Sequence, residues 1–224
     1  MEKLTGRLAI QLAAIIVTAS LGLPQAWAGG ETRTVSVPAL GVRGEGLPGV
    51  VNYIVIQFER TTSDDGPVVQ FNEINLGGGS LVGEEWKEGV RRAVRAVTRT
   101  VGDEGRDWLI TIKNRSMSAL TDGMSAGAAV AVGIMAAYKG DAIRSDVAFS
   151  GQITPDDRLD VVGGLPAKVE AAADAHYRAI VVPRDQVFTS DWGLTKETAD
   201  RKRVQLIQAG TLEEAYQAMT GNSR

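Results

Sequence analysis

The 224-residue sequence has no cysteine and a single histidine, His176. Without cysteine there is no disulfide framework, no thiol nucleophile and no thiolate metal site. No group of His, Asp and Glu residues stands at ligand spacing, so no metal dependence is expected. His176 lies late in a helical run, among Ala172, Ala173, Ala175 and Tyr177, and nothing around it marks a general base. A net charge of −3 gives no reason to expect a nucleic-acid partner. There is no G-x-x-x-x-G-K-[ST] phosphate loop, and no cofactor is expected. Internal repeats and low-complexity tracts are also missing. Beyond residue 28, no apolar run approaches the roughly 20 residues that a spanning helix needs.

The N-terminus is the exception to that polarity. Lys3 and Arg7 precede a mostly apolar run from Leu8 to Leu23, followed by Pro24 and an A-x-A pattern at Ala26 and Ala28. This pattern predicts a secretory signal over residues 1–28, cleaved after Ala28, and a periplasmic or secreted protein. The alternative is an uncleaved membrane anchor, which is the only way in which a membrane enters the reading.

The remainder has the size of one domain with a real core. Residues 29–83 read as its β-rich part, with a short strand at Thr34 to Val37 and a longer one at Val50 to Glu59. The latter places Ile54, Ile56 and Phe58 on one face. Turn residues at 61–67 and a run from Val68 to Leu76 predict a hairpin, followed by a flexible loop from Gly77 to Ser80. Residues 84–224 read as the main body. Trp86, Val90, Val94, Val97 and Val101 recur at helical spacing. Arg91, Arg92, Arg95 and Arg99 lie on the other side of that helix and read as a solvated face. A strand at Asp107 to Lys113 and a helix from Ser125 to Tyr138 follow. Then come a strand–turn–strand around Pro155 to Asp157 and a helix opened by Pro166. Two short strands and a final helix behind the Thr211/Glu214 capping box end the chain.

Chemistry concentrates in "LTDGMSAG", Leu120 to Gly127. Ser125 sits between Gly123 and Gly127 at a helix start, beside free backbone N–H groups and the positive dipole end. Its ordinary role there is an N-cap. Its functional role is a nucleophile whose oxyanion those N–H groups hold. A serine nucleophile needs a base, and Lys168 has the more suitable context. It falls in the first turn of the Pro166 helix, where carboxylates are the usual occupants and where the dipole and burial both favour the neutral amine. The plain alternative is a lysine that snorkels into water.

"DGMSAG" followed by the lysine of "GGLPAK", with "SDVAFSGQITPDDRLDVVGGLPAKVEAA" and "AIVVPRDQ" in order, resembles the proteolytic domain of Lon-type proteases. The likeness is clear from about Leu120 to Asp185 and weak before Glu84. It implies an α+β fold: a single Lon protease-like domain with a small mixed β-sheet and packed helices. It also implies a Ser-Lys dyad, with Ser125 as nucleophile and Lys168 as general base. Asp122 would help shape the site, backbone N–H groups near Gly123 to Ser125 would hold the oxyanion, and Ser150 stands where the family usually has a threonine that supports the lysine. Met124 replaces a usual proline, and Gln152 a common glutamate.

The function expected from this likeness is ATP-independent serine endopeptidase action on unfolded proteins or peptides, with a homo-oligomeric ring as a possible assembly. Two alternatives stand beside it. One is a non-catalytic module on a degenerate protease fold that binds a peptide or partner. The other is a phosphotransferase that uses the Gly-Ser helix start as an anion site.

Overall fold

The computed structural model describes residues 31–44, 46–73 and 81–222. The predicted signal segment and the Gly77–Ser80 loop lie outside these residues. Eleven strands and five α-helices are described, and seven of the strands form one mixed sheet in the order β11-β10-β7-β1-β2-β5-β3.

Its centre is the antiparallel pair β1 (Thr32–Val42) and β2 (Gly49–Arg60), in unbroken register from Thr32↔Glu59 to Val42↔Gly49. β1 is thus much longer than the Thr34–Val37 strand expected from sequence. Pro38 reads locally as a stop, but β7 pairs with β1 only at Ala39↔Phe149, so little ladder is lost beside the proline. The expected hairpin between β2 and the Val68 run does not form. β2 pairs with β5 (Trp108–Arg115), and β3 (Val68–Phe71) joins the far side of β5 in parallel. The fuller partner for β2 on that side is a strand that arrives only after a helix, with eight residues in register.

Alternation along the strands loads both faces of the sheet. On one face Val37, Ile54, Ile56, Phe58, Ile110 and Ile112 pack against α1 (Glu84–Val101), α2 (Gly127–Lys139) and α5 (Leu212–Thr220). On the other, Leu40, Ile180 and Val182 of β10 (Ala179–Pro183) pack with Leu165 and Val169 of α3 (Leu165–Asp174) and Ala199 of α4 (Trp192–Lys202). The result is three layers around a mixed sheet. α2 is buried on all sides, and its small residues permit this: a Cβ on Gly133 would stand 2.5 Å from side-chain carbons of Ile56 and Val37.

The arginines of α1 face carboxylates. Arg91, Arg92 and Arg95 pair with Glu88, and Arg99 pairs with Asp157. At α5 the Thr211 hydroxyl accepts from the Glu214 N–H at 3.2 Å. The Glu214 carboxylate reaches back one residue further than the usual box, to the Gly210 N–H at 2.6 Å. No described helix is long and apolar enough to cross a membrane.

Candidate active site

Parallel strands β1, β7 (Val147–Phe149) and β10 end on one side of the sheet, the usual location of a cleft in such folds. A cavity of about 480 Å³ opens there, lined among others by Leu40, Val42, Asn52, Trp86, Asp122, Gly123, Ser125, Gln152, Val162 and Lys168. Ser125 and Lys168, 43 positions apart in the chain, therefore share one cavity.

Ser125 is half-buried in a single 3-10 turn, Met124–Ala126, that leads into α2. Two backbone bonds fix this turn to the end of β7. The Gly151 N–H donates to the Ser125 carbonyl at 3.0 Å, and the Ala128 N–H donates to the Gly151 carbonyl at 3.0 Å. Gly123, at φ 91°, makes the bend that turns the chain into the helix, a conformation suited to glycine. The Gly123 N–H is occupied, donating to Asp122 Oδ1 at 2.9 Å. The Met124 and Ser125 N–H groups make no hydrogen bond among the described residues and remain available at the positive end of α2.

Asp122 is exposed, yet its Oδ1 also accepts from the Trp86 N–H at 3.0 Å. Trp86 is the third residue of α1, a helix whose own N-cap, Gly83, offers no side chain. Asp122 therefore caps α1 from the neighbouring loop and ties the serine turn to that helix. Gly83 is required by this contact: a Cβ there would lie 2.2–2.4 Å from the Asp122 carboxyl group. The resemblance to Lon-type domains implies that Asp122 shapes the site, but nothing in the sequence points to its partner helix. β4 (Leu81–Val82) and β6 (Leu120–Thr121) pair in parallel beside the same contact.

Lys168 is 2% exposed, among the largest fully buried side chains. Its N–H closes the first turn of α3 on the Gly164 carbonyl at 3.2 Å. Gly164 opens that helix at φ 67°, packed against Val42. The Lys168 amine has no hydrogen bond or ion pair among the described residues. Burial pushes its pKa down to about 8, and the charge of Asp191 at the start of α4 acts in the opposite direction. About a tenth of the amine is thus neutral at pH 7 and about half at pH 8.

Ser150 is fully buried just past β7, and its hydroxyl oxygen has no partner among the described residues. It does not line the cavity. The Gln152 amide nitrogen donates to Asp160 Oδ2 at 3.2 Å and to the Val161 carbonyl at 2.9 Å. A glutamate at this position would offer no such donors and would set a second carboxylate beside Asp160. His176 is exposed at the end of α3, at φ 65°, away from the cavity. Residues that sequence reading missed include Asp191, buried Asn52 on the cavity wall, and Gln186. Nothing in their local sequence marks them, because each reaches the site only through sheet order. No group of three or more potential metal ligands occurs among the described residues.

A hydroxyl at a helix start and a desolvated amine on one cleft are the parts of an acyl-transfer site. The family model of the Lon protease (S16) C-terminal proteolytic domain matches residues 86–214, more than half of the chain. Lon protease of Citrifermentans bemidjiense is 35% identical over 111 residues, covering 47% of this chain and 14% of that protein. Lon protease of Fervidobacterium nodosum is 30% identical over 117 residues, 48% of this chain and 14% of its own length. The archaeal Lon protease of Thermococcus kodakarensis is 27% identical over 103 residues, 46% of this chain and 16% of its own. The chain thus spans only a small part of the length of these relatives. It belongs to the Lon protease C-terminal proteolytic domain family.

Proposed function

We propose that this protein is a serine endopeptidase that cleaves unfolded proteins or peptides with Ser125 and Lys168. The observation that carries the reading is the joint placement of a half-buried serine and a desolvated, unpaired lysine on one 480 Å³ cavity. Neutral Lys168 Nζ takes the proton from Ser125 Oγ as the oxygen attacks the scissile carbonyl. The oxyanion meets the Met124 and Ser125 N–H groups. Lys168 then passes its proton to the leaving amine nitrogen as the C–N bond breaks, leaving an acyl ester on Ser125. Water, deprotonated by Lys168, attacks that ester; the acid product leaves and Oγ regains a proton. By the resemblance alone, Ser150 is proposed as the hydroxyl that supports the lysine; it makes no hydrogen bond to Lys168 in this structure.

No step of this cycle consumes a nucleotide, so hydrolysis by this chain is proposed to proceed without ATP. The N-terminal pattern around Ala26 and Ala28 supports action outside the cytoplasm, and homo-oligomeric assembly is part of the proposal.

The test is release of fluorescent peptides from a labelled unfolded protein without ATP. We expect Ser125→Ala and Lys168→Ala to keep the wild-type circular dichroism spectrum and to lose activity by at least about a thousandfold. Wild-type turnover by folded Ser125→Ala would sink the mechanism.

A further inference from the structure

Gln186 follows β10 and is completely buried, with every polar atom of its amide used. Its Oε1 accepts from the Val162 N–H at 3.0 Å, and its Nε2 donates to the Val162 carbonyl at 2.9 Å. One side chain thus makes, on a single residue of a loop, the two bonds that a neighbouring strand would make. The Nε2 also donates to Thr189 Oγ1 at 3.3 Å, and the Thr189 hydroxyl lies 2.7 Å from both Asp191 Oδ1 and the Gln186 carbonyl, donating to one of them at a time. Gln186 therefore joins the Val162 loop to the residue whose charge acts on Lys168.

Val162 is where this strut meets the site. It lines the cavity, and it lies in the same buried cluster as Leu165 and Val169 of α3, three positions before and one after Lys168. Directly after it, Gly163 and Gly164 swing the chain into α3. A loop containing two successive glycines has little stiffness of its own. The fixed point that holds the α3 N-terminus against the cavity must come from outside the loop. Gln152 supplies one such point at Val161, and Gln186 supplies the other at Val162.

On the reading that Lys168 is the general base, we propose that Gln186 is a positioning residue for it: through its two-point clamp on Val162 it holds the lysine-bearing helix against the cavity and keeps water from the amine. Loss of the clamp leaves the Val162 N–H and C=O buried without partners, and water enters to satisfy them. The lysine then becomes better solvated, and its proton affinity moves back toward that of a free lysine. The charged groups that face the cavity from other elements are Arg43 after β1, Glu85 of α1 and Asp122; Asp191 approaches from α4. None of these residues is replaced in a Gln186 variant; Thr189→Val, which cuts the link from Gln186 to Asp191 and leaves the Val162 clamp in place, is the control, and a shift beyond that of the control reports the clamp.

The experiment compares wild type with Gln186→Leu and Gln186→Met, neutral side chains of similar size that each remove both bonds without adding a charge. Carbon-13 NMR of the lysine side chains, with Lys168 assigned by difference from Lys168→Met, gives its titration midpoint directly. In parallel, the rate at which a fluorophosphonate labels Ser125 is followed from pH 6 to pH 10, with thermal melts to certify folding. The account expects the Gln186→Leu midpoint to move alkaline by at least about half a unit. Labelling should slow roughly tenfold to a hundredfold, the range that small misplacements of a catalytic group produce, in both Gln186→Leu and Gln186→Met. Equal midpoints in folded wild type and Gln186→Leu would overturn the proposal. If Gln186→Leu does not fold, the same comparison is decided on Gln186→Met. A wild type that never labels would instead sink the acyl-transfer reading, and the NMR midpoints would still decide the positioning claim.

Discussion

At the residue scale the decisive feature is an amine kept out of water. Lowering a lysine from its ordinary value to about 8 places roughly 3 kcal/mol against its charged form. That cost has a definite sign in the stability of the protein. Below about pH 8 both folded and unfolded chains carry the ammonium, and the folded state bears the full burial penalty. Between about 8 and 10.5 the folded state releases the proton first, and stability rises with pH. Lys168→Met removes the penalty. We expect it to stabilise the protein at pH 7 by up to about 3 kcal/mol, with the gain shrinking as pH approaches 10. Denaturant titrations of both proteins at pH 7 and pH 9.5 check this; a Met variant less stable at pH 7 would show that the lysine is not desolvated. A site residue whose replacement stabilises the fold is a group kept for chemistry.

At the scale of elements, the serine turn is held by three separate structures. Gly151 fixes it to the end of β7, Gly89 of α1 packs at 3.1 Å from where a Gly127 Cβ would be, and Asp122 caps α1. Asp122→Ala removes a helix cap and is expected to cost about 1–2 kcal/mol of stability. It also frees the serine turn, so activity should fall by more than the loss of folded protein explains. Asp122→Asn keeps an acceptor for the Trp86 N–H and should recover most of the stability. Melting curves and peptide hydrolysis on the two variants separate these effects. Gly83→Ala should resemble Asp122→Ala, because its methyl group displaces the same carboxylate. Gly133→Ala forces Ile56 and Val37 aside under α2 and should cost about 1–3 kcal/mol without altering the cavity.

The elements also show what a sequence can and cannot reveal. The helix of Trp86 and Val90, the face of Ile54, Ile56 and Phe58, and the Thr211 cap are local patterns, and all three appear as read. Ser125 and Lys168 were singled out together through local motifs and the resemblance to a known domain, and the fold sets both on one cavity. What was not legible depends on sheet order. The β2–β3 hairpin was the natural local reading, but β5, which arrives after α1, takes the place beside β2. Pro38 hid the second half of β1 for a similar reason, since its tolerance depends on how little β7 pairs there. Gln186 reaches Val162 across 24 positions of chain, and no periodicity records such a contact.

At the scale of the whole molecule, the sheet divides labour between its faces. One side holds the larger apolar core around α1 and α2, the latter entered through the serine turn; the other holds α3, which carries the lysine, and α4, which Asp191 opens. The site forms only where both layers meet the strand ends, so it exists only in the folded domain. Far from the cavity, Arg60 bridges Asp103 at 2.7 Å and Asp107 at 2.8 Å, closing the other end of β2 and β5. Burial alone would raise the Asp103 carboxyl, but the Gly105 N–H and Arg60 outweigh it and hold the group below its ordinary value. Its contribution to stability is present above the ordinary carboxylate range and is lost as pH falls. Asp103→Asn should therefore lower the melting temperature at pH 7 more than at pH 3, while leaving peptide hydrolysis by the folded protein unchanged.

The most direct test of the central claim is the pH dependence of kcat/KM for a short fluorogenic peptide, measured without ATP on wild type and Ser125→Ala. A free-enzyme base with the character of Lys168 predicts a rate that rises about tenfold per pH unit below about 8 and levels off above it. It also predicts no rate above background in the Ser125 variant. A rate independent of pH between 6 and 9, or one that survives Ser125→Ala, would contradict the account.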